Sequence, residues 1–175
     1  LPQLPIEIWE RTIDHLWNSP PTLLSCSLVC KSWCYRSRFH LVKRLVLHTR
    51  KAVRQCAHMV KEHPILKPRV MTSIFETHPS HIECRPVAQL GTFATMFAGR
   101  LPHVKVMAIW HVEWQSGEMH EGIFLHLSAF TSVVRLQLAD VKFPNLLVFG
   151  RIIYALPNLE EFSYNQLSFT NETFD

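Results

Sequence analysis

Beyond residue 41 one apolar pattern recurs, in which a residue is followed by others at +3, +5, +8 and +10. Val104, Met107, Ile109, Val112 and Trp114 make one copy, Val133, Leu136, Leu138, Val141 and Phe143 the next, and Leu159, Phe162, Tyr164, Leu167 and Phe169 a third. The copies begin 29 and 26 residues apart, and Leu101-Pro102 and Leu156-Pro157 each precede a copy by the same offset. Val42, Leu45 and Leu47 give a shorter first copy, and an irregular one lies around residues 70–75. Alternation by two inside each copy predicts a strand, and the segments between them, residues 51–62, 86–98 and 146–155, read as helices; the last has a wide apolar face from Leu147, Phe149, Ile152, Ile153 and Leu156. Strand, crossover helix, strand requires a parallel sheet with helices behind it. An ordinary three-layer α/β domain is the competing architecture.

The L-x-x-L-x-L core and a period in the twenties resemble the leucine-rich repeat. The match is to an irregular member. The asparagine usual after the strand is missing from all three clear copies, Val112, Val141 and Leu167 standing at +8 instead. Three or four repeats without an obvious polar cap suggest an array that continues past this sequence.

Ahead of the array, residues 4–33 carry more apolar surface than their length can bury. On a helical wheel Ile6, Ile8, Trp9, Thr12, Ile13, Leu16 and Trp17 fill one half, and Glu7, Glu10, Arg11, Asp14 and His15 the other. A helix that packs only on its own domain needs an apolar stripe of roughly 100°, so an arc near 180° predicts a second covering surface, such as a partner protein. Pro5 suits the first turn, and Asn18-Ser19-Pro20-Pro21 must stop the helix, with Ser19 placed to cap the next one. That second helix runs to about Val29, and a third from Lys31 towards His40. Three short helices cannot bury Trp9, Trp17 and Trp33 well without outside help.

The run Leu4-Pro5-x-Glu7-Ile8, an apolar turn ending in Leu16, a proline break, Leu23-Leu24 and then Leu28-Val29-Cys30-Lys31-x-Trp33 resembles the F-box motif over about the first forty residues. The resemblance implies a helical cluster that docks on the Skp-type adaptor of a cullin–RING ubiquitin ligase, leaving the rest of the chain to hold a target. Position by position it assigns the adaptor contact to Leu4, Pro5, Ile8, Val29, Cys30 and Trp33. Thr12 departs from the pattern, putting a methyl where the family has a large aliphatic side chain, which weakens the expected contact. The expected organisation is therefore α+α/β: a three-helix F-box over residues 1–41, then a short leucine-rich-repeat-like parallel β/α array over residues 42–175 that binds a protein target.

The strand period of two also predicts where that target sits. If the second and third apolar residues of each copy point into the core, their neighbours point to the opposite face. Val106, Ala108 and Trp110, then Arg135, Gln137 and Ala139, then Glu161, Ser163 and Asn165 form three rows there. Trp110, Arg135, Gln137, Glu161, Ser163 and Asn165 are the expected target contacts. Row one alternates as cleanly in the opposite phase, and a slip of one residue exchanges the faces. A helix or tail covering these rows would move the target to the loops.

Composition narrows the function classes. At 175 residues and 47% apolar content the chain has material for a core and is no disordered tail. No run reaches the ~18 uncharged apolar residues of a membrane helix, and no signal peptide is visible. Five cysteines, an odd and mostly apolar-flanked set, read as reduced core thiols of an intracellular protein, placed in cytoplasm or nucleus. Asn171-Glu172-Thr173 fits a glycosylation acceptor by chance. Residues 1–61 hold ten Lys/Arg against three Asp/Glu, and residues 62–175 eight against eleven. Such a basic stretch faces solvent, an acidic protein or nucleic acid, in that order of preference, because exposed aromatics are not interleaved with it.

Only five glycines and no phosphate loop or G-x-S-x-G elbow give nucleotide or acyl-transfer chemistry no frame. His120 and His126 are six apart, unlike an i, i+4 zinc pair, and His78, His81 and Cys84 lack a fourth ligand nearby. The expectation is a non-enzymatic binding protein with no catalytic residue, cofactor or metal. Its partners are a Skp-type adaptor, through it a cullin, and a protein target, with no membrane. The alternative is an intracellular repeat scaffold or nucleic-acid-associated protein outside any ligase.

Overall fold

The computed structural model describes residues 5–76, 85–115, 119 and 122–170. The chain divides into two compact units, Leu1–Leu45 and Val46–Asp175. The first contains α1 (Ile6–His15), α2 (Pro20–Ser27) and α3 (Lys31–Leu41). Pro5 stands just ahead of α1, and Pro20 and Pro21 open α2, where their missing N–H groups cost nothing. Ser19 precedes α2 as expected but leaves its backbone uncapped, its hydroxyl bonding Thr22 Oγ1 at 2.7 Å instead.

Two sets of contacts fix how α1 lies on α3. The Trp9 and Trp33 rings are 4.9 Å apart, and further along both helices the Asp14 carboxylate accepts from Arg36 and pairs with His40. Moving from Trp9 to Asp14 on one helix thus tracks Trp33 to His40 on the other. The two helices run in the same direction, so their N-termini share one end of the unit. Ile13, Leu23, Ser37, Val42 and Leu45 are its buried residues among those described.

The remaining elements are β1 (Arg44–Leu47), α4 (Arg50–Glu62), a 3-10 helix (Pro64–Arg69), β2 (Thr72–Glu76), β3 (Arg85–Pro86), α5 (Ala88–Phe97), β4 (Val106–Glu113), α6 (Ile123–Ser128), β5 (Arg135–Phe143), α7 (Leu146–Tyr154) and β6 (Glu161–Phe169). The sheet order is β1-β2-β4-β5-β6, with β3 beside β4, and β2 through β6 pair in parallel. This is the α+α/β architecture expected, a helical cluster followed by a parallel β/α array. Thr49 caps α4 by accepting from Ala52 N–H, and Asn145 caps α7 by accepting from Val148 N–H. Gly99, at φ +66, ends α5 in the left-handed turn that glycine adopts without strain. The 3-10 helix, α6 and β3 were not anticipated, each being too short for a period to register.

The five-position pattern has a backbone cause. His111, Asp140 and Gln166 all have φ between 51 and 55, at the same place in three successive strands. One residue in that conformation adds a step to the alternation. It turns a spacing of two into three, which is why Met107 and Ile109 share a face with Val112 and Trp114. The pairing runs on either side of these residues in all three strands, so the extra steps are stacked. Strand entry repeats too: the carbonyls of Met71, Lys105 and Val134 each accept from two successive N–H groups of the following repeat.

The core lies between the sheet and its helices. Phe93 of α5 meets Phe75, Phe97 and Phe130 with ring centroids 4.9–5.4 Å apart. Phe143 joins Trp114, Phe149 and Phe169 further along. The first two complete apolar copies are buried throughout. The third is not: Phe162 and Tyr164 lie exposed on β6, the edge strand among the described residues. In the irregular copy Ser73 takes the place of Met107 and Leu136, fully buried and with its hydroxyl unpartnered.

Candidate functional site

The N-terminal end of the helical unit exposes what the wheel predicted it could not hide. Along α1 only the middle of the apolar half is covered. Ile13 is buried, Trp9 and Leu16 are half-buried, Ile8 is 44% exposed, and Thr12 is exposed, its hydroxyl donating to the Ile8 carbonyl. At the far flank Trp17 stays 60% exposed, with Lys43 Nζ 5.8 Å from its ring centre. Because α1 and α3 run in parallel, Pro5 and Ile8 share an end of the unit with Val29 and Cys30. Leu28 is 87% and Val29 63% exposed, Pro5 and Cys30 are exposed, and Trp33 is half-buried against Trp9. Leu4 lies outside the described residues.

Two titrating groups belong to this unit. The Arg36 guanidinium, helped by His40, holds the Asp14 carboxyl down at about 2. The Cys30 thiol is held below its ordinary value, chiefly by its 3.2 Å contact with the Ser32 hydroxyl and by backbone N–H groups at the start of α3. The expectation that the cysteines are core thiols fails for Cys30, which is exposed because it precedes α3 instead of lying inside it. Cys26 and Cys34 are half-buried and Cys56 is buried, the last pushed up to about 11 by burial.

The second surface is the sheet face away from the helices. Phe75 touches Phe93 of α5 and Phe162 touches Phe149 of α7, so their rows, Phe75–Ile109–Leu138–Tyr164 and Ser73–Met107–Leu136–Phe162, face the helices. Trp110, Gln137, Ser163 and Asn165 therefore share the opposite face with Arg135 and Glu161, and the phase left open in the first row is resolved in favour of Met107 and Ile109 as core. On that face Trp110, Arg135 and Gln137 are half-buried, while Glu161, Ser163 and Asn165 are exposed. Ala108 does not belong to an accessible surface. It is fully buried, a small residue flanked in the sheet by Val106, Trp110, Ile74 and Gln137.

Charge on this face is arranged in cross-strand pairs. Arg135 donates two hydrogen bonds to its register partner Glu161, at 2.5 and 2.8 Å, holding the glutamate below its usual range. Lys142 lies 3.4 Å from its partner Glu113, and His111 Nδ1 lies 3.3 Å from Asp140 at the stacked extra steps. Arg135 and Glu161 reach any visitor as a neutral planar pair, not as separate charges.

No metal-binding group of three or more His, Cys, Asp or Glu occurs among the described residues. His78, His81 and Cys84 lie outside them, as do His120 and Glu121. None of the described helices is long and apolar enough to cross a membrane. The sequence reading missed a third feature, a furrow along α4 and α5. Its basic rim draws Arg54 and Lys61 from one helix, Lys67 from the 3-10 helix and Arg100 from the end of α5. Arg54 and Lys61 lie in the acid-poor stretch, but a linear scan does not join Lys67 and Arg100 to them. These elements define a three-helix unit joined to a parallel β/α repeat array. No protein-family model matches the chain, and neither the curated proteins nor the solved structures contain a match.

Proposed function

We propose that this chain is the target-recruiting subunit of a cullin–RING ubiquitin ligase of the SCF type, working in the cytoplasm or nucleus. The N-terminal end of α1 and α3 holds a Skp-type adaptor, and the open sheet face holds a protein target through Trp110, the Arg135–Glu161 pair, Gln137, Ser163 and Asn165. The observation that carries this reading is the exposed apolar set Pro5, Ile8, Leu28, Val29 and Cys30 at one end of a small helical unit, in the order in which the sequence resembles an F-box. No residue of the chain is catalytic on this reading; it supplies proximity, raising the effective concentration of a target lysine beside the ligase.

The test is binding of the purified chain to a Skp-type adaptor. Trp33→Ala removes an aromatic anchor and is expected to weaken binding by about 2 kcal/mol or more, roughly thirtyfold. Trp33 also packs on Trp9, so Val29→Asp, a change at an exposed position, provides the same test with the helices intact. Unaltered affinity in both folded variants, or no adaptor binding by the parent chain, overturns the proposal.

A further inference from the structure

Two cavities of about 530 and 500 Å³ lie end to end on the helical side of the array. They share Arg54 and Met96, so they form one furrow. Its order follows the chain: Arg50 and Arg54 of α4 with Ala88 to Met96 of α5 line the first cavity, and Arg54 to Lys61 with Met96 to Arg100 line the second. The furrow therefore runs along both helices, and the 13 residues of α4 give it a length of about 20 Å.

Its chemistry is two-toned. The floor is apolar, with Ala57, Val60, Met96 and Phe97 at one end and Ala88 and Ile123 at the other. The rim is basic: Arg50, Arg54, Lys61, Lys67 and Arg100 line it, and no carboxylate does among the described residues. None of the five cations takes part in an ion pair among those residues. His58, also at the rim, pairs with Glu62 at 3.3 Å. Small residues, Ala88, Gly91, Thr92 and Thr95, keep one wall of the first cavity low.

We propose that this furrow binds an acidic amphipathic helix of a partner protein, about three turns long, with apolar side chains on the floor and carboxylates against the rim. Uncompensated positive charge around an apolar trough selects a ligand that is acidic at its edges and apolar beneath. The unbranched Met96 lets the floor adapt to side chains of different shape. A single strand of nucleic acid would need aromatic faces to stack on. Among the described residues Phe97 is the one Phe, Tyr or Trp that lines it, and it is buried. An anionic membrane surface would need apolar groups that protrude, and these are recessed. The furrow is on the helical side of the array, opposite the sheet face assigned to the target.

The experiment titrates the full 175-residue chain into a fluorescein-labelled peptide of glutamate and leucine, with leucines at helical i, i+3, i+4, i+7 spacing, and reads fluorescence anisotropy. Three controls accompany it: a peptide of the same composition with that spacing scrambled, a uridine RNA oligomer, and phosphatidylserine/phosphatidylcholine vesicles. Saturable binding of the patterned peptide is expected, weakened at least about tenfold by Arg54→Glu with Lys61→Glu. Lys51→Glu with Lys105→Glu, the same charge change outside the furrow, is expected to leave binding within about twofold. Circular dichroism checks that each variant is folded. Equal binding of the scrambled peptide, tighter competing binding of RNA or vesicles, or an unaffected Arg54/Lys61 variant overturns the proposal.

Discussion

Leu136 and Phe162 stand at the same place in the repeat and are partners across β5 and β6, yet Leu136 has no exposed surface and Phe162 keeps 37% of its own. That difference sets the cost of truncating each. Leu136→Ala loses about 2 kcal/mol of transfer free energy and leaves a void enclosed by the sheet and helices, for a total of about 4 kcal/mol. Phe162→Ala removes a larger side chain but only about 80 Å² of surface withdrawn from water, or about 2 kcal/mol. No void term is added, because solvent can enter at the edge strand. The smaller deletion is thus expected to do more harm, by about 2 kcal/mol. Urea unfolding of the whole chain, followed by circular dichroism and compared at unchanged m-value, gives both numbers. Gln137→Ala, on the other face, is the control and is expected to cost under about 1 kcal/mol. A Phe162→Ala cost equal to or above that of Leu136→Ala would refute the assignment of faces and of the edge.

Two further outcomes concern the helical unit. The folded-state pKa of Asp14 lies at about 2, below the ordinary 3.8, so its contribution is present above pH ~4 and is lost as pH falls towards 2. Asp14→Asn is therefore expected to destabilise the unit by roughly 1 kcal/mol at pH 7, after discounting for solvent screening, and by much less at pH 2. Thermal melts at the two pH values check this, and an equal loss at both removes the Arg36–Asp14–His40 cluster as the cause. Iodoacetamide at neutral pH is expected to alkylate Cys30 at least about tenfold faster than Cys56, since thiolate character and access both favour Cys30. Peptide mass spectrometry reads the ratio, and comparable rates would contradict the placement of Cys30 ahead of α3.

The β/α array was legible because burial on one face of a strand leaves a period, and that period survives in Met107, Leu136 and their companions. The helices at residues 51–62, 86–98 and 146–155 were legible for the same reason, with ends displaced by a residue or two. Phe162 and Tyr164 carry the pattern without the burial, since local alternation holds no information about which strand ends the sheet. Ser73 is the reverse case, a buried position whose polar side chain makes the copy around residues 70–75 irregular. Helix direction also escaped the sequence: Pro5 and Val29 share an end only because Trp9 meets Trp33 and Asp14 meets Arg36. The basic furrow was half visible, as Arg54 and Lys61 lie in the stretch poor in acids. Lys67 joins them through the 3-10 helix, and Arg100 through the packing of α5 beside α4.

The stacked residues His111, Asp140 and Gln166 place a constraint on how the array can change length. Deleting one residue within β4 alone would send Val112 and Trp114 to the wrong face, unpair Val112 from Val141 and part the Trp114 ring from Phe143, so strands can lengthen or shorten at this step only in concert. The intervening segments face no such rule, and neighbouring strands are already offset by 34, 29 and 26 residues. The joints at Met71, Lys105 and Val134 are made by backbone carbonyls, which every residue type supplies. Cut just before its strand, a repeat becomes an exchangeable part: modules of unequal length can be joined at these carbonyls, provided that each carries its own left-handed residue at the matching step.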